Sequence, residues 1–448
     1  MSDFFKDFSD VSKAEWEAKL IADLKGKDPS ILKTSDLIEE FEFASHVHKD
    51  ELKSSPEVPG SFPFTRGLNS PNNDWRNGGM IIINNEKEAN KEALEALNLG
   101  ADQLIFDEAK SEVNWDIVLK DIQLEFIEAH FRIKNIESFS FVQNIQNTSK
   151  GIVDIQIDFL ESNSMQLEQI VSNYSAQQKR FCLVNGFKIQ QAGGTTWQEI
   201  AFCLSTGHEY LVKLMSNGLS IDQAAACISF NMGVGANYFY EIAKIRSFKK
   251  LWSKIIKAYS PQHECTYNVK INVQIGHLNK SLSDPYTNLL RQTTEAMAAS
   301  LSGVDSITVV PYDYYSTEKP TVLSKRMAIN ISTILKEESY FSKVVDPTGG
   351  SYSIETLSRI IGEKAWAYFQ IMDDNGGIFE SEVLQKLKTD ITEKREQRIS
   401  SFNAGKTVGI GMNKYPNPDA VSGEWIRITE YLGIDALVLE MELKLKSA

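Results

Sequence analysis

Met80-Ile81-Ile82-Ile83 opens the segment that decides the fold. This apolar run is followed by the amphipathic stretch Glu86–Asn98 and by a second run, Gln103-Leu104-Ile105-Phe106. Short apolar runs are typical of buried strands, and the stretch between them has the length of a helix. Two parallel strands need a crossover of a dozen or more residues, usually a helix, between them. The segment therefore predicts a βαβ unit.

The same alternation continues along the chain and brings the number of predicted strands to eight. The other six are Ile122–Phe126, Ser138–Val142, Phe181–Val184, Ala226–Phe230, Asn268–Val273 and Ser306–Val310. Helices are predicted between strands at Thr196–Ser216, Asn237–Ala258 and Asp284–Leu301. Eight strands alternating with helices favour an α/β fold, a closed (β/α)8 TIM barrel. The alternating stretch Gly151–Phe159 is interpreted as an insertion.

Segments at both ends flank the predicted barrel, which is assigned to residues 59–345. Residues 346–448 are predicted to form a C-terminal helical extension that gives way, after about Phe402, to a tail containing Gly and Pro. Residues 1–58 are predicted to form an N-terminal helical arm that makes a subunit contact.

The arm begins with the pattern of a capped helix. Ser12 and Glu15 have the spacing of a capping box, and Trp16, Leu20 and Leu24 follow at helical intervals. Such an apolar stripe suits a clasp around a partner. Packing of the arm on the chain's own barrel is an equally good interpretation.

Composition excludes several classes of function. The net charge of −13 argues against a general role on nucleic acid or a membrane surface, because both attract cationic proteins. No apolar run approaches the ~20 residues that span a bilayer, and the acidic start is unlike a signal peptide. The four cysteines lie at least 21 residues apart and the six histidines are scattered, so no metal site is predicted. We expect a cytoplasmic protein with reduced thiols.

Four motifs occur in order along the chain: Pro59–Gly67, Asn237–Arg246, Asp284–Ala299 and Val345–Tyr352. Together they resemble the barrel of the adenosylcobalamin-dependent methylmalonyl-CoA mutase family over about residues 59 to 375. The resemblance implies a barrel that holds an acyl-CoA. It also implies a separate domain that offers a histidine to cobalt from an Asp-x-His-x-x-Gly loop, a motif absent from these 448 residues.

The resemblance fails where the family has its functional residues. Its Ser-Gly-Tyr-His-x-x-Glu-Ala-Gly reads Asn185–Gly193 here, with Phe187 for the tyrosine and Lys188 for the histidine. Its Arg-Thr-His-x-Gln keeps only the glutamine, Gln274, and places Asn272 at the histidine. The substrate-positioning stretch after Gly67 is shortened and lacks its tyrosine. We therefore expect no catalytic residues and treat Phe187, Lys188 and Asn272 as degenerate positions.

A residual substrate pocket would involve Arg66, Arg246 and Gln274, although pairing with a neighbouring carboxylate is the favoured interpretation of Arg246. The resemblance favours a small, non-catalytic subunit that forms a heterodimer with a large catalytic subunit. That partner would bind adenosylcobalamin, and the complex would interconvert (R)-methylmalonyl-CoA and succinyl-CoA. Two alternatives remain: a catalytic mutase barrel served by a separate cobalamin-binding chain, and a stand-alone acyl-CoA binding or chaperone-like protein.

Overall fold

A computed structural model describes residues 10–52, 57–67, 72–110, 112–162, 167–173, 180–418, 423–426 and 430–447. Ten strands occur in these residues and fall into a hairpin and one eight-stranded parallel sheet. The strands are β1 Lys33–Asp36, β2 Phe41–Ala44, β3 Arg76–Ile83, β4 Gln103–Glu108, β5 Glu128–Arg132, β6 Ile152–Gln156, β7 Cys182–Asn185, β8 Ile228–Val234, β9 Ile271–Ile275 and β10 Ser306–Thr308.

The eight-stranded sheet closes into a barrel. Its order is β6-β5-β4-β3-β10-β9-β8-β7, so consecutive strands are paired except β6 and β7, and β3 pairs with β10. The remaining seam, between β6 and β7, is joined just beyond β6. The Ile157 amide donates to the Phe181 carbonyl at 3.0 Å, and the Leu183 amide donates to the Ile157 carbonyl at 2.9 Å. The predicted (β/α)8 TIM barrel is confirmed.

Helices cover the barrel and extend beyond it. They are α1 Lys13–Asp23, α2 Glu86–Asn98, α3 Trp115–Val118, α4 Ile136–Thr148, α5 Leu167–Asn173, α6 Gly186–Gln191, α7 Thr196–Ser216, α8 Ile221–Ala226, α9 Tyr238–Ala258, α10 Thr287–Leu301, α11 Val322–Glu337, α12 Tyr352–Asp374, α13 Ser381–Asn403 and α14 Leu439–Ser447. Two predicted helices, α2 and α7, have the predicted bounds. No helix in the described parts of the chain combines the length and apolar character that a membrane crossing requires.

Two of the eight predicted strands are wrong. Ser138–Val142 lies in α4, where Asn135 caps the helix and Phe139 and Val142 are buried three residues apart, on one helical face. Ile122–Phe126 precedes β5 and ends in a short 3-10 turn. The interpretation of Gly151–Phe159 as an insertion is also wrong, because this stretch contains β6.

The N-terminal segment divides into a docked hairpin and an exposed helix. The β1–β2 hairpin lies on the chain's own barrel: Glu39 accepts from the Thr196 hydroxyl at 2.7 Å, and the rings of Phe41 and Tyr240 lie 5.1 Å apart. By contrast α1, which has the predicted capping box of Ser12 and Glu15, buries none of its residues. The proposed boundaries at residues 58 and 345 remain predictions.

A buried charge cluster fixes the outer helices on the barrel. Lys244 of α9 lies 2.7 Å from the Glu199 carboxylate of α7 and donates to the Gly233 carbonyl of β8 at 2.7 Å. Glu199 also accepts the Gly233 amide at 2.7 Å, and Glu241 lies beside the same ammonium. Burial alone would lower the pKa of Lys244, but the two carboxylates outweigh it and raise that pKa. Lys244 therefore stays charged and joins two helices to one strand.

We expect Lys244→Met to lower the free energy of unfolding by about 3 kcal/mol, because it leaves two buried carboxylates without their cation. Urea denaturation followed by circular dichroism measures the change. The matched control is Lys319→Met, at a side chain that is 77% exposed and pairs with the exposed Glu88. A loss at Lys244 no larger than the control's would contradict the role assigned to the cluster.

Candidate functional site

The carboxyl ends of the barrel strands surround a cavity of about 240 Å³, which we call the mouth cavity. Side chains from several strand ends line it: Asp107 from β4, Arg132 from β5, Phe187 and Lys188 from α6, and Gln274 from β9. TIM-barrel enzymes place their active sites on this face, because loops from all eight strands converge there. The degenerate positions Phe187 and Lys188 are therefore brought to the place where chemistry would be expected.

Lys188 occupies a largely buried position at the mouth cavity. It lies in α6, a short helix that begins at Gly186, directly after β7. Burial lowers its pKa, while the charges of Glu161 and Asp107 act in the opposite direction. An ammonium held here is a cation rather than the neutral imidazole of the family motif, so it attracts anions but does not reproduce a histidine.

Two mouth residues were missed by the sequence analysis. His277 is 4% exposed, lies just beyond β9 and has its ring 4.7 Å from the ring of Tyr315. Arg132 ends β5, donates to Gln156 at 3.0 Å and lies 3.7 Å from Asp107. Their one sequence signal is position, since each directly follows or ends a barrel strand on the face where such residues converge.

The C-terminal tail crosses the mouth and closes part of it. The Tyr431 hydroxyl donates to Asp158 at 2.8 Å, and the ring of Trp425 stacks on Tyr315 with centroids 6.3 Å apart. Farther along, the Leu437 amide donates to the Gln191 carbonyl at 2.7 Å. Ile426, Tyr431, Ile434 and Ala436 consequently form the outer wall of the mouth cavity.

The first half of the barrel interior is filled by polar side chains. His130 of β5 contacts Glu128 at 2.7 Å through one ring nitrogen and Gln156 of β6 at 3.0 Å through the other. Gln103 of β4 donates to Glu128 at 3.3 Å. TIM-barrel interiors are usually filled by Val, Ile and Leu, so this network is unusual for the fold.

The second half of the barrel is filled in the same way. Asn231 of β8 donates to Asn185 of β7 at 3.0 Å, and Ser306 of β10 donates to Asn272 of β9 at 2.7 Å. Asn272, one of the degenerate positions, is therefore an interior residue far from solvent, with 1% exposure. The interior is packed closely enough that a Cβ at Gly78 would clash with Thr308. We call this set of inward polar side chains the axial network.

One part of the axial network has the composition of a metal site. Glu128, His130 and Asp154 offer ligand atoms that lie within 4.8 Å of one another. Both carboxylates already face cations: Lys270 lies 2.7 Å from Glu128, and Arg180 lies 3.5 Å from Asp154. The cluster is therefore charge-paired without an ion, and we assign it no metal.

The opposite end of the barrel holds a separate cavity of about 290 Å³. Arg66 lines it and pairs with Asp346 at 2.8 Å. Arg246, which is fully buried on α9, contacts Asp346 and lies 2.7 Å from Glu355. Of the three residues named for a residual substrate pocket, Arg66 thus lies at the amino end and Gln274 at the carboxyl end, while Arg246 lines neither cavity. Residues 68–71 of the stretch after Gly67 fall outside the described residues.

A larger groove of about 790 Å³ lies beside the mouth. It runs between the N-terminal hairpin, α10 and the loop after α13, and its walls include Ile38, Tyr240, Leu290 and Ile410. Leu290 is 70% exposed. Its walls also include charged side chains, among them Glu39, Arg291 and Arg398, so the groove combines apolar and charged surface.

Comparison with known proteins identifies relatives along most of the chain. The family model described as methylmalonyl-CoA mutase matches residues 155–432. The methylmalonyl-CoA mutase small subunit of Porphyromonas gingivalis is 32% identical over 452 residues, which cover 95% of this chain and 73% of that protein. The mitochondrial methylmalonyl-CoA mutase of Mus musculus is 27% identical, over 90% of this chain and 60% of its own length.

A third relative matches more locally. The methylmalonyl-CoA mutase of Cereibacter sphaeroides is 33% identical over 52% of this chain and 33% of its own length. Several relatives are thus much longer than the part that this chain spans. Among solved structures, a dihydropteroate synthase from Coxiella burnetii overlaps 58% of this chain and 92% of its own, with a TM-score of 0.32 and 14% identity.

Asp158, which accepts a hydrogen bond from Tyr431 of the tail, should make the free energy of unfolding depend on pH. Burial raises its folded-state pKa to about 7, above the ordinary 3.8, so the native state retains a proton that the unfolded state releases. Stability is then greatest below about pH 4 and falls as pH rises towards 7, by no more than about 1.4 kcal/mol per pH unit. Urea denaturation of Asp158→Asn across this window should show a flatter profile than the wild type.

The matched control is Asp374→Asn, at an exposed carboxylate near the end of α12. Its profile should follow that of the wild type. Parallel profiles for Asp158→Asn and wild type would show that Asp158 titrates normally beneath Tyr431.

Proposed function

The chain belongs to the methylmalonyl-CoA mutase family, and we propose that it acts there as a small, non-catalytic subunit. In this proposal it pairs with a large subunit that binds adenosylcobalamin and carries out the interconversion of (R)-methylmalonyl-CoA and succinyl-CoA. One relative, from Porphyromonas gingivalis, has the name of a mutase small subunit and aligns with 95% of this chain. The contribution of this chain would be a folded scaffold for its partner.

The observation that carries the proposal is the axial network. In the mutase family the barrel holds the acyl-CoA, which requires space along its axis. Here Gln103, His130 and Asn272 fill the axis, and none of them is more than 1% exposed. The cavities at the two ends share no lining residue. An acyl-CoA chain threaded along this axis would have to displace a hydrogen-bonded network and leave its partners unsatisfied.

Substitution at the functional positions supports the same conclusion. Phe187 has no hydroxyl with which to orient an acyl group, and Lys188 presents a cation in place of an imidazole. Catalytic groups act as a unit, so two changes at the mouth weaken a reaction more than either suggests alone.

The residues at the mouth do not fit a cobalamin of their own. A cofactor of that size needs an open face, whereas Tyr431 and Ile434 of the tail cover the mouth. The 240 Å³ that remains is below the ~300–1,000 Å³ of ordinary small-molecule sites. The mouth histidine, His277, is 4% exposed and lies beneath this cover. We therefore assign cobalamin binding to the partner subunit. This chain would support the partner's radical chemistry only by forming the complex with it.

Helix α1 is the best candidate for a contact with that partner. It buries no residue, and Ile21 is 56% exposed. The following hairpin is tied to the barrel through Glu39 and Phe41. The helix lies against the segment just after that hairpin, where the rings of Trp16 and His46 are 3.8 Å apart. An amphipathic helix that rests on a docked base and keeps Ile21 exposed suits an interface that is completed by a second chain.

The purified chain should neither retain adenosylcobalamin nor convert methylmalonyl-CoA, because its axis is filled and its mouth is covered. Spectroscopy and a succinyl-CoA assay measure both. Added to a large mutase subunit from the same source, it should give a complex with one cobalamin, rather than two, per pair of chains. Turnover by the chain with cofactor alone, or two cobalamins per pair, would contradict the proposal.

Leu20→Glu combined with Ile21→Glu should weaken the complex with the large subunit at least about tenfold, because charges would enter an apolar contact. Size-exclusion chromatography and calorimetry measure the affinity. The matched control is Ala18→Glu, an exposed position on the same helix outside the predicted apolar stripe. Unchanged affinity of the double variant would show that α1 is not part of the contact.

A further inference from the structure

The mouth cavity contains buried polar atoms without partners. His277 is 4% exposed and Gln274 is 8% exposed. Both ring nitrogens of His277, Oε1 of Gln274 and Nη2 of Arg132 have no hydrogen-bond partner in the described part of the chain. All three side chains line the same cavity. Buried polar groups are nearly always hydrogen-bonded, so atoms that converge unpaired on one cavity point to something that fills it.

The charges around this cavity favour a negative occupant. Its lining residues include three cations, Arg132, Lys134 and Lys188, and one carboxylate, Asp107, while Glu161 acts on Lys188 from outside the lining. Asp158 lies behind Tyr431, and burial raises its pKa to about 7, which removes part of its charge near neutral pH. The lining therefore has an excess of positive charge inside a protein whose net charge is −13.

Two of the unpaired side chains, Arg132 and His277, can donate hydrogen bonds to an anion, whereas Oε1 of Gln274 is an acceptor and suits an ordered water. Burial lowers the pKa of His277 to about 3, with the charges of Lys188 and Lys280 acting in the same direction. Its imidazole is therefore neutral and has one N–H to donate. Arg132 keeps one unpaired guanidinium nitrogen while its others face Gln156 and Asp107. Fixed donors of this kind bind oxyanions with directional, charge-assisted bonds.

We propose that the mouth cavity is a binding site for a compact divalent oxyanion, held by Arg132, Lys188 and His277 beneath the C-terminal tail. Phosphate and short dicarboxylates share this chemistry. The site is one of binding and not of turnover, and it does not depend on the proposed pairing with a large subunit. A chain that failed to form the complex would still bind the anion.

The tail gives the site its enclosure. Tyr431 and Ile434 form its outer wall, and the tail is attached by the bond from Tyr431 to Asp158. The cavity, at about 240 Å³, has room for a small oxyanion together with a few ordered waters. Ordered water alone is the competing occupant, since it also satisfies polar atoms but carries no charge to match the cations.

The test is calorimetric titration of the full chain with inorganic phosphate and, separately, with oxalate, in a Tris–chloride buffer. We expect saturable binding of at least one of them, with one site per chain. Arg132→Met should weaken it by about tenfold or more, the loss of one charge-assisted hydrogen bond. The matched control, Arg326→Met, removes an exposed arginine on α11 and should leave the affinity unchanged.

Lys188→Met provides a second variant, with the same expected loss, if Arg132→Met does not fold. Binding of phosphate but not oxalate would assign the site to phosphate groups, and the reverse would assign it to carboxylates. Absence of saturable heat for both probes up to about 10 mM would overturn the proposal in favour of water. Equal affinity of wild type and the mouth variants would also overturn it, because the anion would then bind elsewhere.

Discussion

Lys244 and Arg246 are two fully buried cations on one helix, and the arrangement of the outer layers depends on them. Lys244 joins α9 to α7 and to the end of β8, while Arg246, two residues on, joins α9 to Asp346 and to α12 through Glu355. An uncompensated buried charge is far less favourable than a paired one, so each cation accepts few alternative positions for its partners. The helix therefore has a fixed position, and Tyr240 near its start provides the surface on which the N-terminal hairpin packs.

The same charged cluster also fixes the carboxyl face of the barrel. Gly233 is the last residue but one of β8, and its amide and carbonyl are both held by the charged cluster. The axial network then fills the space between the strands with side chains that bond to one another. A scaffold of this kind is well suited to present surfaces to another chain and poorly suited to admit a long substrate. The proposed roles, a partner contact on the outside and a small anion at the mouth, both respect that limit.

How far sequence predicts this structure depends on the polarity of the barrel interior. The long helices α2 and α7 were predicted to the residue, because an amphipathic pattern persists over several turns. The sequence pattern predicts an insertion where β6 lies and places β5 too early. Their inward side chains, such as His130 and Asp154, are polar, whereas barrel strands are expected to be apolar. The prediction of a strand at Ser138–Val142 is wrong for the opposite reason, since its aromatic residues suggest a strand although Asn135 caps a helix.

Among the site residues, a motif in the sequence identifies the positions Phe187 and Lys188. It does not identify Arg132, His277 or the tail, because their contacts join distant parts of the chain and leave no local pattern.

The axial network also bears on the history of this chain. Hydrogen bonds between inward side chains couple neighbouring positions, so replacing one member by a small residue leaves another unsatisfied. His130, for instance, contacts Glu128 on one side and Gln156 on the other. Reopening the axis would therefore require several simultaneous substitutions, each harmful when made alone. Under the proposed non-catalytic role, single mutations would therefore rarely restore an open axis once such a network is complete, and the change would be hard to reverse in evolution.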